Sequence, residues 1–325
     1  MNSLVSVVVV TYNAARFIEE ALESVAKQEW DNLELVITDD GSEDDTLKIC
    51  CNWLEKNDNS KRFSRIEIIE SDVNTGVPKN ANRGLYAARG EWIKYVAGDD
   101  TLKQNSIADD MNFVRSNPEA KVLFSKIELY RDSIVAENMI KTIPVDVFNP
   151  NSIMAPGRSA DSQYRMLLLH DRINYSPSFF IHRESLLEVG GFDERFRLLE
   201  DYPLWLNLTK SGYKLFFMDK VTVNYRRHEE SLYKGGSRYI IEPNYFTEEY
   251  FRRIYTYPNM PVDVRLSERF KWYASQIFRW KWINRGKTVN RVLMLLLTVY
   301  LNPFRYYIFL KKQFRKDLKK NELYN

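Results

Sequence analysis

A chain of 325 residues with 44% hydrophobic and 28% charged residues has an ordinary globular composition, which excludes a disordered chain and a multi-span membrane protein. The net charge of +3 gives no support to a nucleic-acid partner. The two cysteines, Cys50 and Cys51, are sequence neighbours, which excludes a disulfide framework and a CxxC-type zinc site and suits a reducing cytoplasm.

The run Leu4 to Val10 is apolar and rich in valine. It is too short for a membrane span and lacks a basic leader, so it reads as a buried parallel strand ending near Thr11. Phe17, Ile18, Ala21, Leu22 and Val25 recur at helical spacing, and Leu33 to Ile37 returns to a strand pattern, which completes one βαβ unit. The second strand ends in Thr38-Asp39-Asp40-Gly41-Ser42, and a helix is expected from about Asp45 to Leu54. A strand at Ile66 to Glu70, the loop Asp72 to Pro78, a helix at Lys79 to Ala88 and a strand at Trp92 to Val96 follow. This alternation predicts an α/β doubly wound sheet.

A helix near Ile107 to Asn117 and a strand at Lys121 to Phe124 come next, and the pattern then fades into a long loop holding Pro144, Pro150, Pro156 and Gly157. Order resumes with a strand at Ser178 to Arg183 and helices at Ser185 to Val189 and Tyr202 to Ser211. Beyond about Tyr233 the chain is rich in aromatics and Lys/Arg, with helical patterns at Val264 to Trp282 and Val289 to Lys320.

In an open parallel sheet, ligands bind beyond the carboxyl ends of the strands. Thr11-Tyr12-Asn13, Asp39-Asp40 and Asp99-Asp100 each follow a predicted strand and are expected to converge. One such Asp pair alone is more often a solvated turn or helix cap. Three together, with Gly98 allowing close approach beside Asp99, suit Mg²⁺ or Mn²⁺ holding a diphosphate. The first turn reads Thr11-Tyr12-Asn13-Ala14-Ala15-Arg16 rather than GxGxxG, and there is no Walker loop, which disfavours dehydrogenases, kinases and ATPases.

Several stretches resemble, in order, the motifs of family 2 glycosyltransferases, an inverting family with the GT-A fold. They are Ser6 to Asn13, Asp39 to Asp44, Asn74-Thr75-Gly76, Asn82-Arg83-Gly84, Gly90-Glu91-Trp92-Ile93 before Asp99, Gly190-Gly191-Phe192-Asp193, Glu200-Asp201, and Tyr225 to Ser231. The resemblance implies a GT-A type, Rossmann-like, mostly parallel central sheet flanked by helices, with a C-terminal helical appendage. Residues 1–120 would bind the nucleotide-sugar, 121–232 the acceptor, and 233–325 would form the basic, aromatic C-terminal region.

Carried over by position, the resemblance implies that Thr11, Tyr12 and Asp39 frame the nucleoside, Tyr12 by stacking and Asp39 by accepting from a uracil-like base, which favours UDP. Asn13, Asp40, Asn82 and Gly98 belong to the same donor site. Asp99 would ligate the metal and Asp100 would face the sugar. Ala97 stands where the family's DxD motif begins, so the contact of that first Asp is lost or supplied by another group. His228 would lie near the diphosphate as a ligand for Mn²⁺ or a phosphate contact, against the plainer reading of a hydrogen-bonded core or surface histidine. Lys79 and Arg83 could offset phosphate charge, against the plainer reading of solvated helix residues.

Inverting transfer needs a base for the acceptor hydroxyl, and the resemblance assigns it to the Glu200-Asp201 pair, Asp201 first. The plainer reading of that pair is a helix cap with Pro203 in the first turn. The partners implied are a nucleotide-sugar donor and a glycan or lipid-linked glycan acceptor, with no nucleic acid. The apolar run Val292 to Leu301, followed by Arg305, Lys311, Lys312, Arg315, Lys316, Lys319 and Lys320, reads either as an interfacial helix at the inner face of a membrane or as a helix packed on protein. Gln276 to Trp280 matches the QxxRW signature of processive synthases, but the chain has no membrane-spanning run beside it, so single addition is expected. A catalytically silent sugar-nucleotide or glycan-binding module on the same fold is the alternative, kept open by Ala97.

Overall fold

The computed structural model describes residues 2–197, 199–229, 239–241 and 248–314. Glu230 and Ser231 of the last motif, and Arg315, Lys316, Lys319 and Lys320 of the basic tail, lie outside the described residues. The chain divides into two compact units, Met1–Gln163 with Arg172–Glu230, and Tyr164–Asp171 with Ser231–Asn325. Both expected halves of the catalytic region therefore fall mainly in the first unit.

The first part of that unit alternates as expected: β1 (Val5–Thr11), α1 (Ile18–Ala26), β2 (Leu33–Asp39), α2 (Thr46–Glu55), β3 (Arg65–Glu70), α3 (Val77–Ala87) and β4 (Trp92–Ala97). Then come β5 (Thr101–Leu102), α4 (Ser106–Ser116), β6 (Val122–Arg131), β7 (Met139–Ile143), α5 (Ala160–Leu169), of which Tyr164 onward is counted with the second unit, β8 (Phe180–His182), α6 (Arg183–Glu188), α7 (Asp201–Lys210) and β9 (Leu215–Arg227). The strands form one sheet in the order β3-β2-β1-β4-β8-β6-β9-β5, with β7 on β6. β1 to β4 pair in parallel, β8 runs antiparallel between β4 and β6, and β9 returns parallel to β6.

Valines 5, 7, 8 and 9 are fully buried because β1 is central and covered on both faces. Helix α3 approaches it so closely that a Cβ on Gly84 would sit 2.3 Å from Val8 Cγ1. Gly90, ahead of β4, is equally constrained, since a Cβ there would lie 2.6 Å from the Ser6 backbone nitrogen. The Gly90 N–H donates to Ser6 Oγ at 2.8 Å and to the buried Glu34 carboxylate at 3.1 Å. Two glycines of the quoted motifs thus act through packing.

The long loop expected after Phe124 is partly strand. β6 continues to Arg131 and turns back as β7, so irregular chain starts only near Pro144. β9 has no counterpart among the strands expected from the sequence. Between the pairs Ser125↔Met218 and Lys126↔Val221, Asp219 and Lys220 bulge out of register, and their exposed charges interrupt the apolar pattern.

In the second unit, α8 (Glu249–Phe251) is short, and α9 (Val262–Ser275) ends in a tight turn, Gln276–Arg279. The expected helix from Val289 onward is broken. α10 (Thr288–Leu295) runs through a widened turn, Leu296–Tyr300, and α11 (Pro303–Phe314) departs at 54° after Asn302. Among the described residues no single helix is long and apolar enough to cross a membrane.

Candidate active site

The parallel register sets the strand ends side by side. Thr11 pairs with Asp39, and Val10 with Ala97. The Asp40 N–H donates to the Thr11 carbonyl at 3.0 Å and the Gly98 N–H to the Val10 carbonyl at 2.9 Å. Asn80 on α3 locks two of the ends by donating to the Thr11 and Thr38 carbonyls at 3.1 and 3.0 Å. Gly98 lies against Thr11, and a Cβ there would be 2.7 Å from the Thr11 hydroxyl. That hydroxyl is buried with no hydrogen-bond partner among the described residues. Tyr12 beside it is 45% exposed, a ring open to stacking.

The Asp39 carboxylate is buried and closes its own turn, accepting from the N–H groups of Gly41 and Ser42 at 3.1 and 2.8 Å and from Ser42 Oγ at 2.5 Å. Asn13, at φ +48°, ties the first strand end to that turn by accepting from the Glu43 N–H and donating its own N–H to Ser42 Oγ, both at 2.8 Å.

At the β4 end, His228 Nε2 donates to Asp99 Oδ2 at 3.0 Å. The imidazole packs on Phe17, with ring centroids 4.7 Å apart. Arg226 holds this arrangement from beneath. Buried, it donates from its backbone N–H to Asp100 at 2.8 Å and from Nε to the Asp99 carbonyl at 2.7 Å, and it bonds Glu20. Its guanidinium also lies over the Phe17 ring at 4.5 Å.

Tyr225, one residue earlier, reports who its neighbours are. Burial pushes its phenol upward, and the negative charges of Asp100, Asp99 and Asp201 add to the shift. Asp201 opens α7, and burial raises the carboxyl of Glu200 beside it. No side-chain capping bond is made by Glu200, so the plain cap reading finds no support at that position.

Three residues expected to meet the donor turn inward. Asp40 accepts from the N–H groups of Thr75 and Gly76 at 3.0 and 2.7 Å and from Arg83 at 3.1 Å. Burial works against its ionisation, but those bonds prevail and lower its pKa. Asn82 exchanges bonds of 2.9 Å with the backbone of Phe192 and reaches Glu194. Asp100 is buried rather than facing a sugar, and burial followed by the adjacent Asp99 charge pushes its carboxyl well up. Arg83 is likewise held inside by Asp40 and Asn80. Lys79 is exposed on α3. The sequence pattern assigns no role to Asn80, Phe17, Tyr225 or Arg226, although the last two lie in a quoted motif.

Asp99 and His228 offer a hard carboxylate oxygen and an imidazole nitrogen side by side, a donor set that fits Mn²⁺ or Mg²⁺. Among the described residues no group of three or more His, Cys, Asp or Glu gathers, so a bound ion would draw its other ligands from diphosphate and water. Elsewhere in the same unit, a cleft of about 260 Å³ is lined by Pro144, Asp146, Asn149, Asn151, Arg172 and Asn174, among others.

Comparison with known proteins shows the family and the fold. GlyG of Streptococcus pneumoniae is 33% identical over 107 residues, 33% of this chain and 34% of GlyG. The GalNAc(5)-diNAcBac-PP-undecaprenol beta-1,3-glucosyltransferase of Campylobacter jejuni is 24% identical over 241 residues, 71% of each chain. The fold is shared with Staphylococcus aureus TarS 1-349 in complex with UDP-GlcNAc, at a TM-score of 0.60 and 19% identity over 95% of this chain and 84% of that one. The chain spans about a third of GlyG and 49% of the longer TarS structure. The description "Glycosyl transferase family 2" matches residues 6–189, more than half of the sequence, and the chain belongs to that family.

Proposed function

We propose that the chain is an inverting glycosyltransferase that moves one sugar from a nucleotide diphosphate donor, with UDP the favoured carrier, to a hydroxyl of a glycan or lipid-linked glycan in bacterial surface polysaccharide assembly. The reaction is set on the cytoplasmic side, at the inner face of the membrane. The observation that carries the reading is the Asp99–His228 pair following β4, on a sheet whose parallel register sets the ends of β1, β2 and β4 side by side. The relatives support the substrate classes, since TarS was crystallised with UDP-GlcNAc and the Campylobacter enzyme's name specifies an undecaprenol-linked acceptor.

In this reading Tyr12 stacks on the base, and Thr11 offers its hydroxyl to the nucleoside. Asp39 exchanges part of its turn bonding for the base. Asp201, with Glu200 beside it, takes the acceptor proton as the oxygen bonds to the anomeric carbon. The carbon–oxygen bond to the diphosphate breaks, and the nucleoside diphosphate leaves with that electron pair. Asp99 and His228 would hold Mn²⁺ or Mg²⁺, which when bound supplies positive charge against the diphosphate. His228 then stands in for the first Asp of the DxD motif, replaced here by Ala97. Lys79, exposed on α3, adds positive charge on the donor side, and the polar cleft beyond Ile143 helps choose the acceptor.

The test is a thermal-shift screen of nucleotide sugars with and without Mn²⁺, followed by a donor-turnover assay. A donor at a hundred times its Kd stabilises the fold by about 2.7 kcal/mol. We expect a UDP-sugar to give such a shift only with Mn²⁺ present and to be turned over when acceptor is added. Metal-independent binding without turnover, even with acceptor, would instead favour the silent module that Ala97 suggests.

A further inference from the structure

The C-terminal unit exposes what a globular surface normally hides. Val289, Val292, Leu295, Leu296 and Leu301, on α10 and the turn after it, are 45% to 77% exposed. On α11, Tyr306, Tyr307, Phe309 and Leu310 are each more than half exposed. Trp280 and Trp282, just ahead of α10, are 59% and 66% exposed and stack on one another, with centroids 6.1 Å apart. Contiguous apolar exposure of this kind marks a contact surface.

The opposite side of the same helices is anchored. Thr298 and Asn302 are buried, and Asn302 donates to the Ser267 carbonyl and hydroxyl of α9 at 3.1 and 3.0 Å. Lys311 on α11 donates to Asp263 of α9 at 2.6 Å. α11 is therefore tied to α9 at the bend and again near its far end, and α10 and α11 meet there at 54°. From Thr288 to Tyr300 the first arm is only roughly 20 Å long, short of a hydrocarbon core of about 30 Å. Straightening the pair into a span would break the Asn302 anchor.

Charge identifies the occupant. Between Glu268 and Asp317 the sequence holds twelve Lys and Arg residues and no Asp or Glu. An exposed apolar surface on a stretch of sequence whose charged residues are all basic, with exposed tryptophans and tyrosines, is complementary to an anionic bilayer surface. A self-associating face would gain nothing from uniform positive charge.

The geometry points to a monotopic membrane foot: α10 and α11 lie in the interface of one leaflet of an anionic bilayer, with Trp280 and Trp282 inserted at headgroup depth. The end of the QxxRW-like stretch is then an interfacial anchor. This inference names the surface behind the membrane placement proposed above and does not require the catalytic reading.

The test uses the full chain with vesicles of phosphatidylcholine alone or mixed with phosphatidylglycerol. Co-sedimentation is expected with the anionic vesicles, weakening as salt rises, with tryptophan emission shifted to the blue and the protein released by alkaline carbonate. Leu295→Glu combined with Leu296→Glu should cut partitioning at least about tenfold at unchanged melting temperature. Trp280→Ala with Trp282→Ala, a second probe on separate residues, should diminish both binding and the blue shift. Failure to prefer anionic vesicles, binding unaltered by both double substitutions, or resistance to carbonate would overturn the proposal. So would a stable oligomer dissociated by the leucine substitutions. UDP-sugar binding measured on the same protein is a separate readout, so a failed membrane test and a failed catalytic reading remain distinguishable.

Discussion

Under the proposed roles, Asp99 and Asp201 are like groups with different work. Asp99 is fixed from two directions, by the His228 imidazole on its carboxylate and by Arg226 on its carbonyl. Such bracing suits a ligand that must hold one geometry. Asp201 opens a helix, beside a Glu200 whose proton affinity burial has raised. Under the proposed roles, Asp201→Asn keeps the donor's binding site and removes the proton acceptor. We expect kcat to fall by about 10² to 10⁴ while the donor Kd changes less than about twofold. Asp99→Ala should instead weaken Mn²⁺-dependent donor binding itself. Isothermal titration beside steady-state kinetics separates the two, and comparable donor binding by both variants would refute the division of roles.

At the scale of elements, legibility in the sequence follows local regularity. β1, β2 and β4 are short, mostly apolar runs broken only by Ser6, by Glu34 and Thr38, and by Lys94, so the pattern of residues locates their ends, and with them Thr11, Asp39 and Asp99. Side-chain direction past a strand end is not legible, because consecutive residues point to opposite sides. Asp99 faces His228 while Asp100 is buried under Arg226, and Asp39 closes its own turn while Asp40 braces the next loop. β9 is hidden by the Asp219-Lys220 bulge, whereas the break at Asn302 has a sequence signal in Pro303, which ends a helical pattern. The close approach of α3 to β1 is invisible too, since Gly84 reads as an ordinary helix glycine until Val8 Cγ1 is seen beneath it. Gly84→Ala should therefore destabilise the protein by about 1–3 kcal/mol despite the better helix propensity of alanine. Adding Val8→Ala should recover part of that loss by vacating the contested volume, so a strictly additive double mutant in urea denaturation would rule out the steric account.

Over the whole molecule, two sets of carboxyls pull stability in opposite directions with pH. Asp40, Asp44 and Glu128 lose ionisation to burial, yet hydrogen bonds outweigh it and keep all three low. Their stabilising effect is present above the ordinary carboxyl range and fades as pH falls through the folded pKa. Asp110 belongs to the other set. It lies fully buried against Lys94 at 2.9 Å, and burial, only partly offset by that lysine, pushes its carboxyl from an ordinary 3.8 to about 6. The folded chain then holds a proton that the unfolded chain releases, so this contribution is complete below pH 3.8 and is lost as pH rises through about 6. Partly buried Glu248, raised by desolvation, has the same sign. Urea denaturation should accordingly show the chain more stable near pH 5 than at pH 7, with Asp110 supplying on the order of 1–3 kcal/mol of the difference. Replacing both partners, Lys94→Met with Asp110→Leu, removes the titrating group without stranding a buried charge. That variant should lose much of the decline between pH 5 and 7, and a profile parallel to the parent's would show that Asp110 is not the group responsible.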